Sequence, residues 1–158
     1  MAAGSSQRRL IATHRRARFD YEVLERIEAG LVLQGPEVKS LRAGKASLSD
    51  AYGVVRRGEA YLLNLHISPY EAASRENPDP RRERKLLLHR REIERLSGKL
   101  QERGLTLVPL ALYFKDGRAK VELGLARGRR RYDKREAIRK RESDRDLARI
   151  ARRGRSGA

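Results

Sequence analysis

The histidine and carboxylate side chains of this chain are the groups that could support acid–base or metal chemistry. The three histidines, His14, His66 and His89, are far apart and lack the short spacing that metal ligands usually have. Most carboxylates lie next to arginines, which is typical of solvated ion pairs and not of a catalytic acid–base pair. The sequence has no cysteine, no phosphate-binding glycine motif and no serine nucleophile motif. These residues give no support for an enzyme, a metal site or another cofactor.

Basic side chains are the stronger chemical signal, because 38 Lys and Arg against 21 Asp and Glu give a net charge of +17. A chain with this charge binds polyanions. The basic C-terminal segment lacks the apolar stripe of a membrane-surface helix, and no apolar run is long enough to span a bilayer. Nucleic acid is therefore favoured over a membrane as the partner.

Tyrosines lie between the basic clusters, and aromatic rings in a basic groove can stack on the bases of single-stranded nucleic acid. For Tyr21, Tyr52, Tyr61 and Tyr113, the alternation of the surrounding residues favours packing on a sheet over stacking. Tyr132 stands in a basic segment with few apolar residues, where the sequence leaves a stacking role and a solvent-exposed position equally open.

The hydrophobic pattern predicts a mainly antiparallel sheet of five to seven strands with two internal helices. The strongest local signal is Asp116-Gly117, which predicts a tight hairpin whose second strand turns its aliphatic residues inward and Lys120 outward. A small chain avoids exposed sheet edges by closing such a sheet, so we expect a closed barrel. The predicted elements are a strand over 19–34 that bends at Ala29-Gly30, a helix over 35–44, hairpin strands within 46–67, a loop over 68–82, a helix over 83–103, and strands over 105–114 and 119–126.

Both ends of the chain are basic extensions with little to bury. Residues 1–18 have the composition of a transit peptide, but a flexible basic arm that touches phosphates is the preferred interpretation, with residues 1–10 outside the barrel. Residues 127–150 contain three large aliphatic residues, too few to offset the entropy lost on ordering. We therefore expect a C-terminal tail over 129–158 that is disordered when free and becomes helical against a phosphate-lined groove.

Five ordered blocks of the sequence are similar to the small protein B (SmpB) family, the SsrA-binding proteins of bacteria. The similarity extends from about Ile11 to Ile150. It implies a barrel of the oligonucleotide-binding (OB) type over 11–128, with two to three added helices and no enzymatic activity. The blocks are GPEVKSLRAGKASLSDAY (35–52), NLHISPYE (64–71), DPRRERKLLLHRREI (79–93), GLTLVPLALYFKDGRAKVELGLARG (104–128) and YDKR (132–135).

The resemblance also implies a function in ribosome rescue. A member of this family binds transfer-messenger RNA, chiefly its tRNA-like domain, and delivers it to ribosomes stalled on messages without a usable stop codon. The unfinished peptide is then tagged for proteolysis, a process called trans-translation. Elongation factor Tu and alanyl-tRNA synthetase act on the same RNA, so the resemblance implies them as indirect partners. It further implies a cytoplasmic protein with no membrane partner.

The positions that match the RNA-binding motifs of the family are Glu28, Leu87 and Lys120. A carboxylate such as Glu28 can accept hydrogen bonds from base amino groups or from sugars. For Leu87 the sequence leaves helix packing and RNA contact open. Arg16 and Arg18, in the segment RRAR, are expected to contact phosphates.

The resemblance implies that the tail enters the vacant messenger RNA channel and the decoding region of the small ribosomal subunit. Asp133, Lys134 and Arg135 match the tail motif of the family, and Tyr132 precedes them, where stacking on a decoding-centre base is expected. Composition alone fits a structural ribosomal protein equally well, and an RNA hydrolase or transferase is a third hypothesis. The motif blocks favour the rescue function over both.

Overall fold

The computed structural model describes residues 7–102 and 104–128 of the chain. This part is mainly β, as the sequence predicts, and it has three α-helices where the hydrophobic pattern predicts two. Its elements are β1 (Arg8–Thr13), α1 (Ala17–Asp20), β2 (Tyr21–Leu31), α2 (Gly35–Arg42), β3 (Ala46–Ser47), β4 (Tyr52–Arg56), β5 (Glu59–Leu63), β6 (His66–Ile67), a 3₁₀ helix (Glu71–Glu76), β7 (Arg84–Leu87), α3 (Arg90–Leu100), β8 (Leu105–Lys115) and β9 (Arg118–Gly128).

Seven of these strands form one antiparallel sheet in the order β1-β8-β4-β5-β7-β2-β9. Strand β9 also pairs with β8, so the hydrogen-bonded pairings pass from β8 through β4, β5, β7, β2 and β9 and return to β8. The short strands β3 and β6 form a separate two-stranded sheet. The two strands that end the sheet order, β1 and β9, thus both pair with β8.

The hairpin of β8 and β9 forms where the sequence predicts it. Asp116 and Gly117 have φ angles of 51° and 78°, the left-handed pair that a two-residue hairpin turn favours. The register that follows from this turn places Tyr113 opposite Lys120. The aliphatic residues of β9 are buried, as predicted, and Lys120 alternates with them toward the outside.

Aliphatic side chains from the sheet and from helices α2 and α3 form one core. Leu41 of α2 and Leu96 of α3 are fully buried in it. Gly53 on β4 faces Leu107 on β8 so closely that a Cβ atom on Gly53 would lie 2.5 Å from a Leu107 carbon, so only glycine fits there. The core also includes Leu62, Leu86, Leu112, Val121 and Leu123.

The predicted helix over 83–103 is wrong in its first part. Residues Arg84–Leu87 form strand β7, and helix α3 begins only at Arg90. Strand β7 lies between β5 and β2, where Leu86 is buried and backbone groups pair with both neighbours. These gains outweigh local helix propensity. Leu87 consequently lies on a strand, so helix packing does not explain its position.

Two boundaries near the N-terminus also differ from the prediction. Strand β2 has its register irregularity between Val23 and Glu25, and not at Ala29-Gly30. At Gly30 the strand instead has β9 on one side and β7 on the other. Residues 8–10, which fall within the predicted arm, belong to β1 and pair with β8.

A buried charge cluster joins helix α2 to the sheet. Glu37 in the first turn of α2 is 3% exposed, and Arg84 on β7 is fully buried. The Arg84 guanidinium lies 2.6 Å from Glu37 Oε2 and also donates to the carbonyl groups of Leu65 and Pro80. Burial opposes ionisation of Glu37, but hydrogen bonds from Arg82 and the charge of Arg84 outweigh burial and hold the pKa of Glu37 below its usual value. Glu37 is thus an exception to the solvated ion pairs that the sequence predicts.

Replacing Glu37 by glutamine is expected to destabilise the fold, because Arg84 would stay buried without its carboxylate partner. Breaking a buried ion pair in this way costs about 3–5 kcal/mol. The folded pKa of Glu37 lies below 4.5, so its stabilisation is complete above that pH and is lost as the pH falls through the lowered value. Urea unfolding at roughly pH 7 and pH 3 measures both effects. The difference in the free energy of unfolding between wild type and variant should be smaller at the lower pH.

The matched control is Glu59→Gln, since Glu59 and Lys85 form a 3.1 Å ion pair in which both side chains are about half exposed. Its unfolding curve at neutral pH is expected to coincide with that of wild type. Equal stability of Glu37→Gln and wild type at neutral pH would contradict the role given to the cluster.

Candidate nucleic-acid interface

One row of residues crosses four neighbouring strands on the outer face of the sheet. Tyr113 on β8 is opposite Lys120 on β9. Gly30 on β2 is opposite Lys120 on one side and opposite Leu87 of β7 on the other. Glu28 is two residues from Gly30 and therefore lies on the same face of β2. These five residues define what we call the outer patch.

Glu28 is held by two donors from strand β8. The Tyr113 hydroxyl donates to Oε2, and Lys115 Nζ donates to Oε1 at 3.3 Å. The hydrogen bond from Tyr113 is the main reason why the pKa of Glu28 lies below its usual value, and the nearby charges of Lys115 and Lys120 lower it further. Glu28 is therefore ionised at neutral pH, and because its side chain is 37% exposed, its oxygens remain accessible to a ligand.

Tyr113 lies under the surface of the outer patch and is 1% exposed. Arg8 of β1 covers its ring, with the guanidinium carbon 3.7 Å from the ring centroid. Arg8 also forms a 3.3 Å ion pair with Glu122, whose backbone lies opposite Glu28 in the strand register. Glu122 accepts a second bond, from Arg26, at 3.0 Å. Burial, together with the hydrogen bond to Glu28, raises the pKa of Tyr113, so its hydroxyl stays protonated and donates.

Leu87 is the apolar member of the outer patch and is 54% exposed. Gly30 permits this position, because a Cβ atom on Gly30 would lie 3.1 Å from Leu87 Cβ. Leu87 and Lys120 line the same open groove, whose volume is about 300 Å³ and whose wall includes Phe114. The patch thus combines a carboxylate, a cation and an apolar surface.

A second groove continues the patch along the end of the β8–β9 hairpin. It is lined by three cations, Lys115, Arg118 and Lys120, and by the carboxylates of Glu28 and Asp116. The phosphates of a nucleic acid would meet the cations of this groove, whereas the Glu28 carboxylate would meet hydrogen-bond donors such as base amino groups or sugar hydroxyls. The arrangement can bind a polyanion and can also select for donor groups on it.

The sequence-predicted RNA-binding residues fall into two groups. Glu28, Leu87 and Lys120 share the outer patch. Arg16 and Arg18 are exposed but lie just before β2, at the end of that strand opposite the patch, roughly 25 Å away along the strand. The predicted tail residues lie outside the described part of the chain: Tyr132, Asp133, Lys134 and Arg135.

Three residues of the network around Glu28 are not predicted from the sequence, namely Arg8, Tyr113 and Lys115. For Tyr113 the alternation predicts packing on the sheet, and the ring is packed, but its hydroxyl is also engaged with Glu28. Counting back from the Asp116-Gly117 turn would have placed Tyr113 opposite Lys120. No local signal marks Arg8, because its strand pairs with one about a hundred residues later in the chain.

Within residues 7–102 and 104–128, no group of three or more His, Asp or Glu side chains could hold a metal ion. Among the helices described there, none is long and apolar enough to cross a membrane.

Known proteins resemble this chain over most of its length. A family model described as SmpB protein matches residues 11–153. The SsrA-binding protein of Desulforudis audaxviator is 58% identical over 142 residues, which cover 90% of this chain and 93% of the relative. The SsrA-binding protein of Gloeothece citriformis is 53% identical over 154 residues, covering 97% and 99%. A solved structure described as "tmRNA-SmpB: a journey to the center of the bacterial ribosome" is 57% identical, with a TM-score of 0.67, and the match covers 81% of this chain and 94% of that one.

Proposed function

The chain belongs to the SmpB family, and from this premise we propose that it binds transfer-messenger RNA through the tRNA-like domain and delivers it to stalled ribosomes for trans-translation. The relatives are named for binding SsrA, and the similar solved structure concerns the same RNA on the bacterial ribosome. The identity of more than half of the residues over nine-tenths of the chain supports the transfer of this function.

The observation that carries the proposal is the outer patch. Glu28, Leu87 and Lys120 are 33 or more residues apart in sequence, yet strand register gathers them around Gly30. We assign Lys120 to a phosphate, Glu28 to a base amino group or a ribose 2′-hydroxyl, and Leu87 to the apolar face of a sugar or base. Arg16 and Arg18, at the far end of β2, would contact phosphates elsewhere on the same RNA.

The fold proposed to present this patch is a closed OB-type barrel over residues 11–128. The circuit of pairings through β8, β4, β5, β7, β2 and β9 supports closure. The proposed N-terminal arm is shorter than residues 1–10, since β1 begins at Arg8. The barrel binds RNA and catalyses no reaction in this proposal.

The tail over 129–158 is proposed to be disordered when free and helical in the vacant messenger RNA channel and decoding region. Its basic residues, among them Lys134 and Arg135, would pair with ribosomal RNA phosphates. Tyr132, just before Asp133, would stack on a base. Elongation factor Tu and alanyl-tRNA synthetase would act on the same RNA. Because the ribosome and these partners are cytoplasmic in bacteria, the proposed location of the protein is the cytoplasm.

Lys120→Ala is expected to weaken binding to the tRNA-like domain about tenfold, because a charge-assisted contact to phosphate is lost. The measurement is a competition binding assay at physiological salt with excess ordinary tRNA, since low salt would let any RNA bind so basic a chain.

Lys99→Ala is the control for Lys120→Ala, because it removes the same charge from helix α3, where Lys99 lies 3.5 Å from Glu102. Its affinity should stay close to that of wild type. If the two variants bind the tRNA-like domain with equal affinity, Lys120 does not contact the RNA.

Deleting residues 129–158 is expected to leave transfer-messenger RNA binding intact and to abolish peptide tagging, because the barrel and the tail have separate partners. Selective RNA binding and tagging on stalled ribosomes are measured on the same preparations. A full-length variant with alanine at positions 133–135 tests the motif without the loss of length. Wild-type tagging by the truncated protein would contradict the assignment of the tail.

A further inference from the structure

The contact between Tyr113 and Glu28 connects two strands that are not neighbours in the sheet. Tyr113 belongs to β8 and Glu28 to β2, and strand β9 runs between them. The Tyr113 hydroxyl reaches across β9 and donates to Glu28 Oε2, while Lys115 holds Oε1 at 3.3 Å. The carboxylate is thus oriented by groups on a different strand from its own.

The donor of this contact is buried within the sheet. Tyr113 is 1% exposed and sits on a central strand that pairs with both β1 and β9. The guanidinium carbon of Arg8 lies 3.7 Å from the ring centroid, and Arg8 forms a 3.3 Å ion pair with Glu122. A buried tyrosine clamped in this way offers its hydroxyl at a fixed point, whereas a glutamate side chain on an outer strand face would otherwise sample several rotamers.

We propose that Tyr113 is a positioning residue for RNA recognition, whose hydroxyl fixes the Glu28 carboxylate in the orientation that accepts a hydrogen bond from a base amino group or a ribose hydroxyl. The inference rests on the proposed RNA-binding role of Glu28. Preorganisation of this kind raises affinity because the side chain loses less rotamer freedom on binding. Tyr113 itself needs no contact with RNA, which agrees with its burial.

A second tyrosine–glutamate pair in the same sheet supplies a matched control. The Tyr61 hydroxyl donates to Glu59 Oε2 at 2.8 Å, Lys85 Nζ lies 3.1 Å from Glu59 Oε1, and Arg56 lies 5.0 Å from the Tyr61 ring. This pair has the same chemistry but lies within strand β5. Tyr61→Phe therefore removes an equivalent hydrogen bond without touching Glu28.

The first test uses the free full-length protein and follows the carboxyl carbon of Glu28 by NMR as the pH is lowered. In wild type the pKa of Glu28 lies below its usual value, chiefly through the hydrogen bond from Tyr113. In Tyr113→Phe the pKa should rise toward the ordinary value, and in Tyr61→Phe it should match wild type. A Glu28 titration that is unchanged in Tyr113→Phe would overturn the positioning role.

The second test is a double-mutant cycle with the tRNA-like domain of transfer-messenger RNA as the probe. Tyr113→Phe should weaken binding about three- to tenfold in the wild-type background and have no further effect in the Glu28→Gln background. Tyr61→Phe should bind as wild type. Equal losses in both backgrounds, or no loss in wild type, would overturn the inference.

The two tests separate failure of the inference from failure of the proposed function. If Glu28→Gln and Lys120→Ala weaken binding while Tyr113→Phe does not, the interface stands and the positioning role is wrong. If neither Glu28→Gln nor Lys120→Ala weakens binding, the proposed interface is wrong, and so is the role of Tyr113 in RNA recognition. Tyr113→Phe retains the ring under Arg8, so the variant should fold, which thermal unfolding checks.

Discussion

The buried pairing of Glu37 with Arg84 is the constraint on which the outer patch depends. Two charges removed from water need near-complete hydrogen bonding, and here the guanidinium has a carboxylate and the carbonyl groups of Leu65 and Pro80 as acceptors. These partners come from different segments, so the pair holds helix α2, the loop before β7 and β7 itself in one arrangement. Because Leu87 is three residues from Arg84 on the same strand, the position of this exposed leucine follows from a charge buried on the other side of the sheet.

As the proposed interface, the outer patch would let a very basic protein bind RNA by more than charge. Lys120 and Arg118 would attract any polyanion, but Glu28 repels phosphate and favours only ligands that bring a donor to it. A carboxylate in a basic site is useful only if it is ionised and oriented, and Tyr113 and Lys115 secure both conditions. Selectivity for one RNA among many would then come from an acidic residue surrounded by cations.

Local signals in the sequence predict some elements well and miss others for physical reasons. The Asp116-Gly117 turn, the inward face of β9 and the helix ended by Gly44 are all predictable, because each depends on residues within one turn or hairpin. Strand β7 is not, since a run of leucines fits a helix or a strand until its neighbours β5 and β2 are known. The burial of Glu37 and the contact between Arg8 and Tyr113 depend on pairings between distant segments, which no window along the chain contains.

The pairing of β2 with β9 has a consequence for synthesis of the chain. Strand β2 ends at Leu31 and its main partner begins at Arg118, so the chain must be extended by more than eighty residues before the two can meet. At roughly 5–20 residues per second, β2 leaves the ribosome several seconds ahead of β9. The β8–β9 hairpin, with its two-residue turn, can then form within about 1–10 μs. Until β9 has been made, β2 therefore lacks its partner along most of its length, and that edge of the strand stays unpaired.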